Sequence, residues 1–108
     1  AFCSHEETEG IVVLEALACG VPVLVRDIPV YEGWLENGTT VYKARRAEDL
    51  APILKAMLAK ELPDLTAAGR RVAQARSLAR VGQALCGIYE KEAAPCARPE
   101  PVGTAQIF

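Results

Sequence analysis

Two glutamates, Glu7 and Glu15, bracket a glycine and the first residues of an apolar stretch, Gly10, Ile11 and Val12. A carboxylate only accepts hydrogen bonds, so it suits the vicinal hydroxyls of a ribose or a hexose. Gly10 lets an anion approach the backbone with no Cβ in the way. If a helix begins here, the amides of Gly10, Ile11 and Val12 have no intrahelical partners and stand at the positive end of its dipole. Together these groups suit a ligand with a diphosphate in the middle and a hydroxylated ring at each end, which describes a nucleotide-sugar. Each residue also has a plainer reading. Glu6, Glu7 and Glu9 make a solvated acidic loop, and Glu15 is a partly exposed glutamate on a helix face. His5, the single histidine, has no evident ligand partner.

Ligands of parallel α/β sheets bind beyond the carboxyl ends of the strands, where helix N-termini point. The sequence supplies such a frame. Residues 1–4 read as the last turn of a buried strand, and the polar residues 5–9 as a loop. The stretch from Ile11 to Cys19 has helical length and composition, and Gly20 suits a left-handed helix cap. Residues 21–25 are continuously apolar and β-branched, as in a strand covered on both faces. Strand, loop, helix and strand in this order make a βαβ unit of a parallel sheet, so the fold class is α/β.

Downstream, residues 30–35 predict a short turn or helix, Asn37-Gly38 a turn, and residues 39–42 a short strand. A helix is expected from Ala47 or Glu48 to about Lys60, with Leu50, Ile53, Leu54, Met57 and Leu58 on one stripe. Two more are expected over residues 65–76 and 77–91, the second capped by Ser77. Leu65, Val72, Leu78, Val81 and Leu85 are assigned to packing. The domain reading is a nucleotide-sugar-binding portion over residues 1–92 and a disordered tail over 93–108, where three of the seven prolines fall.

The 108 residues are 51% hydrophobic and 24% charged with net charge −2, and mean hydropathy is +0.13. That composition excludes disordered, collagenous and nucleic-acid-coating classes. Charge is unevenly placed. Residues 1–42 carry seven acids and one base, Arg26, for −6, while residues 43–92 carry ten bases and six acids, for +4. An acidic first half disfavours nucleic acid as a partner. Arg70, Arg71, Arg76 and Arg80 could meet an anionic membrane surface, or simply form a solvated helix face. No apolar run approaches the roughly 20 residues that cross a bilayer, and no leader is visible, so a cytoplasmic location is expected. Cys3, Cys19, Cys86 and Cys96 show no metal-binding spacing and are expected as free thiols. Cys3 and Cys19 sit in apolar contexts that predict small core residues.

Residues 4–25, SHEETEGIVVLEALACGVPVLV, resemble the region of two glutamates eight positions apart in the retaining glycosyltransferases of family 4, which have the two-Rossmann-domain GT-B fold. The resemblance implies that the parallel sheet here is a partial Rossmann-like one. It continues through RDIPVYEGWL at residues 26–35 and Asn37-Gly38, and more loosely to about Glu90. Its wording is most similar to the branch of glucosyl-diacylglycerol synthases. Many family members have Gly-Phe-Gly where Thr8-Glu9-Gly10 stands and Gly-Gly at Ile28-Pro29; the lipid-type branch shares both departures. The resemblance implies that Glu7 contacts donor-sugar hydroxyls as the catalytic residue and Glu15 holds the ribose. It implies that amides around Gly10, Ile11 and Val12 bind the diphosphate of a UDP-hexose. No metal or other cofactor is expected, because helix dipoles and basic groups offset the leaving charge. The expected reaction is hexosyl transfer with retained configuration to an acceptor such as diacylglycerol, with peripheral contact at the inner face of the membrane.

Two other functions fit the residues: a non-catalytic α/β interaction domain with an acidic partner-binding loop, and a nucleotide-sugar epimerase of the same fold. The chain opens without Met, on residues that read as a strand's end, which predicts a piece of something longer. The family's N-terminal acceptor domain and its basic diphosphate-gripping pair find no counterpart here, and a carboxylate-rich site without those cations binds a diphosphate poorly. The 108 residues alone are therefore expected to be inactive. Incubation with UDP-glucose and diacylglycerol should release no UDP; measurable turnover would overturn this.

Overall fold

The computed structural model describes residues 1–93. Cys96 and all of the expected tail except Ala93 lie outside the described residues. The chain divides into two units, Ala1–Ser77 and a second beginning at Leu78. The first contains helix α1 (Ile11–Ala18), strand β1 (Leu24–Arg26), a 3-10 turn (Pro29–Tyr31), strand β2 (Tyr42–Ala44) and helices α2 (Ala47–Leu58) and α3 (Thr66–Ala75). Of the second unit, the described part is helix α4 (Leu78–Glu92) and Ala93.

β1 pairs in parallel with β2, Val25 standing opposite Lys43. On its other edge Phe2 forms a parallel bridge to Val25. The Phe2 amide donates to the Leu24 carbonyl at 2.8 Å, and the Arg26 amide to the Phe2 carbonyl at 3.0 Å. β1 is thus the central rung, and α1 crosses over between two parallel segments, as the βαβ reading requires. Leu24 and Val25, on opposite faces of the strand, are 1% and 0% exposed. Val13 and Leu17 of α1 join Val23, Val25, Ile28, Tyr31, Leu35 and Val41 in one core. Each fully buried side chain of this kind contributes about 1.5–3 kcal/mol.

α1 ends as its glycine predicts. Gly20 has φ 70, its amide donates to the Leu17 carbonyl at 3.0 Å, and the Val21 amide donates to that of Ala16 at 3.0 Å, the paired bonds of a Schellman cap. α3 packs on α1 through buried Gly69, where an added Cβ would stand 2.6 Å from Leu17 Cδ2.

Several expectations need correction. β1 spans Leu24–Arg26 rather than residues 21–25, because the α1 cap consumes Val21, and Val21 and Pro22 are exposed. β2 spans Tyr42–Ala44 rather than residues 39–42. Residues 36–41 instead close a turn in which the Glu36 carbonyl accepts the amides of Thr39, Thr40 and Val41. Asn37 Oδ1 accepts the Lys43 amide at 2.9 Å, joining this turn to β2. Cys3 and Cys19 are exposed, not core residues: Phe2 takes the inward position beside Cys3, and Cys19 is the helix cap. On α2, Leu54 and Leu58 are exposed, and on α4 so are Leu78, Val81 and Leu85. The apolar periodicity of α4 is real, but none of these three side chains is buried among the described residues.

Candidate functional site

The first residues of α1 and the loop before them lie at the carboxyl side of the sheet. Ser4 Oγ donates to Glu7 Oε1 at 3.0 Å, bracing that exposed carboxylate from three residues upstream. Arg26, leaving β1 at its carboxyl end, donates from Nε to the Cys3 carbonyl at 3.2 Å and so ties the strand to the root of the loop. Asp27, the next residue, is flanked by Lys43 Nζ at 3.5 Å and Arg45 Nε at 3.2 Å. Those two bases are therefore engaged with a carboxylate.

Gly10 is the N-cap of α1, with φ 70 and ψ 37. Ordinary N-caps are extended and use a side-chain oxygen to satisfy the next amides. Gly10 has no side chain to do so. Its carbonyl accepts the Val13 amide at 2.9 Å and the Leu14 amide at 3.3 Å, while the amides of Gly10, Ile11 and Val12 donate to no group among the described residues. Ile11, Val12 and Glu15 lie on one exposed face of α1, and Val13 and Leu17 face the core. Glu15 stands one turn beyond Ile11, about 6 Å along the axis. Gly10 itself is buried, and exposed Glu7 ahead of it and exposed Ile11, Val12 and Glu15 beyond it place one carboxylate on either side of the amides that have no partner among the described residues. Hydroxyls can be held at the two carboxylates, and an anion at the amides between them.

His5, Glu6 and Glu9 are exposed on the loop, and among the described residues no hydrogen bond or ion pair joins them to the other site groups. Among the described residues no cluster of three or more His, Cys, Asp or Glu side chains could hold a metal ion. Two of the four arginines considered for a membrane patch have places in the fold. The Arg70 guanidinium lies against Gly20, with Nη2 2.7 Å from where a Cβ would stand, and Arg76 lies over the Trp34 ring at 4.5 Å. No helix among the described residues is long and apolar enough to cross a membrane.

One residue beneath the site is invisible to motif reading. Tyr31, 1% exposed, packs its ring under Gly10. Its hydroxyl is held above the ordinary phenol range first by burial and then by the negative charge of Glu7. Ser4 could have been found from the serine-to-glutamate spacing of three; nothing in the sequence pairs Tyr31 with a glycine 21 positions earlier.

A model of the family "Glycosyl transferases group 1" matches residues 1–75. The chain is 38% identical over 90 residues to a processive diacylglycerol alpha-glucosyltransferase of Acholeplasma laidlawii, covering 83% of this chain and 27% of that protein. It is 32% identical over 97 residues to a D-inositol 3-phosphate glycosyltransferase of Rhodococcus erythropolis, covering 86% and 22%. The same activity names a relative in Geodermatophilus obscurus, 36% identical over 89 residues, covering 80% and 19%. No solved structure matches. The chain belongs to the group 1 glycosyl transferases, as its resemblance indicates, and spans about a quarter or less of the length of these curated relatives.

The raised Tyr31 value has a consequence for stability. The folded state favours the protonated phenol, so that contribution is complete below pH 10 and is lost as pH rises through the raised value. Denaturant midpoints of the intact protein should fall more steeply above pH 10 than those of Y31F. Equal slopes would contradict the assignment.

Proposed function

We propose that this chain supplies the donor-binding part of a retaining hexosyltransferase that uses a nucleotide-sugar, with UDP-hexose as the donor. The observation that carries the reading is the N-terminus of α1, where the amides of Gly10, Ile11 and Val12, without a partner among the described residues, lie between the exposed carboxylates of Glu7 and Glu15. In this reading the amides take the diphosphate, Glu15 accepts from the ribose hydroxyls, and Glu7, oriented by Ser4, accepts from hydroxyls of the transferred sugar and acts at the reacting centre. The bond from the anomeric carbon to the diphosphate oxygen breaks, a bond to the acceptor oxygen forms, and the proton of the acceptor hydroxyl passes to the departing diphosphate.

Charge builds on the departing diphosphate in that step. Fixed dipoles aimed where charge develops stabilise the transition state without reorganising, and the α1 terminus is such a group. The proposal uses no metal. A lipid hydroxyl, such as that of diacylglycerol, is the favoured acceptor, supported by the name of the Acholeplasma relative. The protein would then work from the cytoplasm as a peripheral partner of the membrane's inner face.

The two glutamates should separate in kinetics of the intact protein. E15Q weakens ribose recognition, which is present in both ground and transition states, and should raise the donor KM on the order of tenfold with little loss of kcat. E7Q should lower kcat by on the order of a hundredfold with a smaller effect on KM. Steady-state assays with UDP-glucose and diacylglycerol read both. Unchanged kinetics in both variants would overturn the assignment.

A further inference from the structure

We propose that Tyr31 is a positioning residue for the donor site, its buried ring fixing Gly10 in the left-handed conformation that aims the amides of Gly10, Ile11 and Val12. This inference rests on the donor-site reading and adds the device that sets its geometry. A glycine N-cap at positive φ has no cap side chain and no Cβ, so its own preferences leave the backbone free to move. Something else must hold it. An added Cβ at Gly10 would stand 2.7 Å from Tyr31 Cε1 and 3.5 Å from the Tyr31 hydroxyl oxygen. The ring therefore fills the space beneath the glycine and leaves no room for another residue there.

Tyr31 is itself held from three directions. Its amide donates to the Ile28 carbonyl at 3.1 Å, and its carbonyl accepts the Leu35 amide at 3.1 Å. Its ring meets Trp34 edge to face, with centroids 5.8 Å apart and planes at 67°, a favoured aromatic arrangement. Trp34 Nε1 donates to the Val30 carbonyl at 2.7 Å, and the Arg76 guanidinium covers the Trp34 ring. A continuous stack runs from Arg76 at the end of α3, through Trp34 and Tyr31, to Gly10 at the start of α1. The core thereby reaches the anion-binding amides through one aromatic ring.

An ordinary core tyrosine would also be buried, and its loss would lower stability without selecting among substrates. A positioning tyrosine instead acts on the donor. In the intact protein, at a temperature where circular dichroism shows every variant folded, Y31L should raise the donor KM on the order of tenfold and leave the acceptor KM within about twofold. Y31F, which keeps the ring under Gly10, should restore the donor KM to within about twofold of the parent. Amide chemical shifts of Gly10, Ile11 and Val12 should move in Y31L and stay in Y31F. If Y31L does not fold, W34L, which removes the edge partner, should raise the donor KM in the same direction. A folded Y31L, or W34L in its place, with parental donor KM and unmoved shifts overturns the proposal, as does Y31F impaired as much as Y31L. A parent that turns over no nucleotide-sugar overturns the donor-site reading instead, and the amide shifts still decide whether Tyr31 fixes Gly10.

Discussion

The contact between Gly10 and the Tyr31 ring is the constraint on which the rest of the site depends. A helix that started on an ordinary cap would spend a side-chain oxygen on its first amides. This one starts on a residue with nothing to offer, in a conformation that a Cβ would disfavour by about 1–2 kcal/mol. The amides of Gly10, Ile11 and Val12 as a result donate to no group among the described residues. Alanine at position 10 would meet both the conformational penalty and a ring that cannot retreat, since Tyr31 is enclosed by the core.

The sheet explains why this helix start lies where a ligand can reach it. β1 is buried on both faces and paired on both edges, to Phe2 and to β2. Its carboxyl end is consequently a fixed reference, and Arg26 and Asp27 leave it toward the loop and toward β2. Arg26 secures the loop root through the Cys3 carbonyl. Asp27 draws Lys43 and Arg45 together. Four of the seven acids of residues 1–42, Glu6, Glu7, Glu9 and Glu15, thus stand on the exposed loop and helix face, while the one base among these residues has a backbone partner. The family's chemistry, transfer of a sugar, fits a surface that presents hydrogen-bond acceptors on either side of a cluster of donors.

Much of this frame is legible in the sequence because it is local. The α1 cap is readable from Gly20, whose conformation needs no Cβ, and the two glutamates are readable because Glu7 stands just ahead of the helix start and Glu15 in its second turn, with Gly10 between them. The strand boundaries are not. Val21 and Val23 look equivalent in a β-branched run, yet the Schellman bonds take Val21 into the helix cap. Thr39 and Thr40 have strand propensity but serve the turn around the Glu36 carbonyl, where local hydrogen bonding outweighs it. Tyr31 is unreadable for a different reason. Its importance lies in a contact with Gly10 that exists only after α1 and the 3-10 turn have packed on the same core. The apolar stripes of α2 and α4 show the reverse: periodicity reports that a face is apolar, not that it is covered, and Leu58 and Leu78 remain exposed.

If the start of α1 receives the diphosphate of a nucleotide-sugar, as proposed, a nucleoside diphosphate must bind far better than the bare nucleoside. Calorimetric titration of the intact protein with UDP, UDP-glucose and uridine isolates that group, since the three ligands share the nucleoside and differ in the phosphates and sugar attached to it. Saturable heat is expected with UDP and UDP-glucose, and much weaker binding with uridine. No heat with UDP or UDP-glucose, or uridine binding as tightly as UDP, would contradict the proposal.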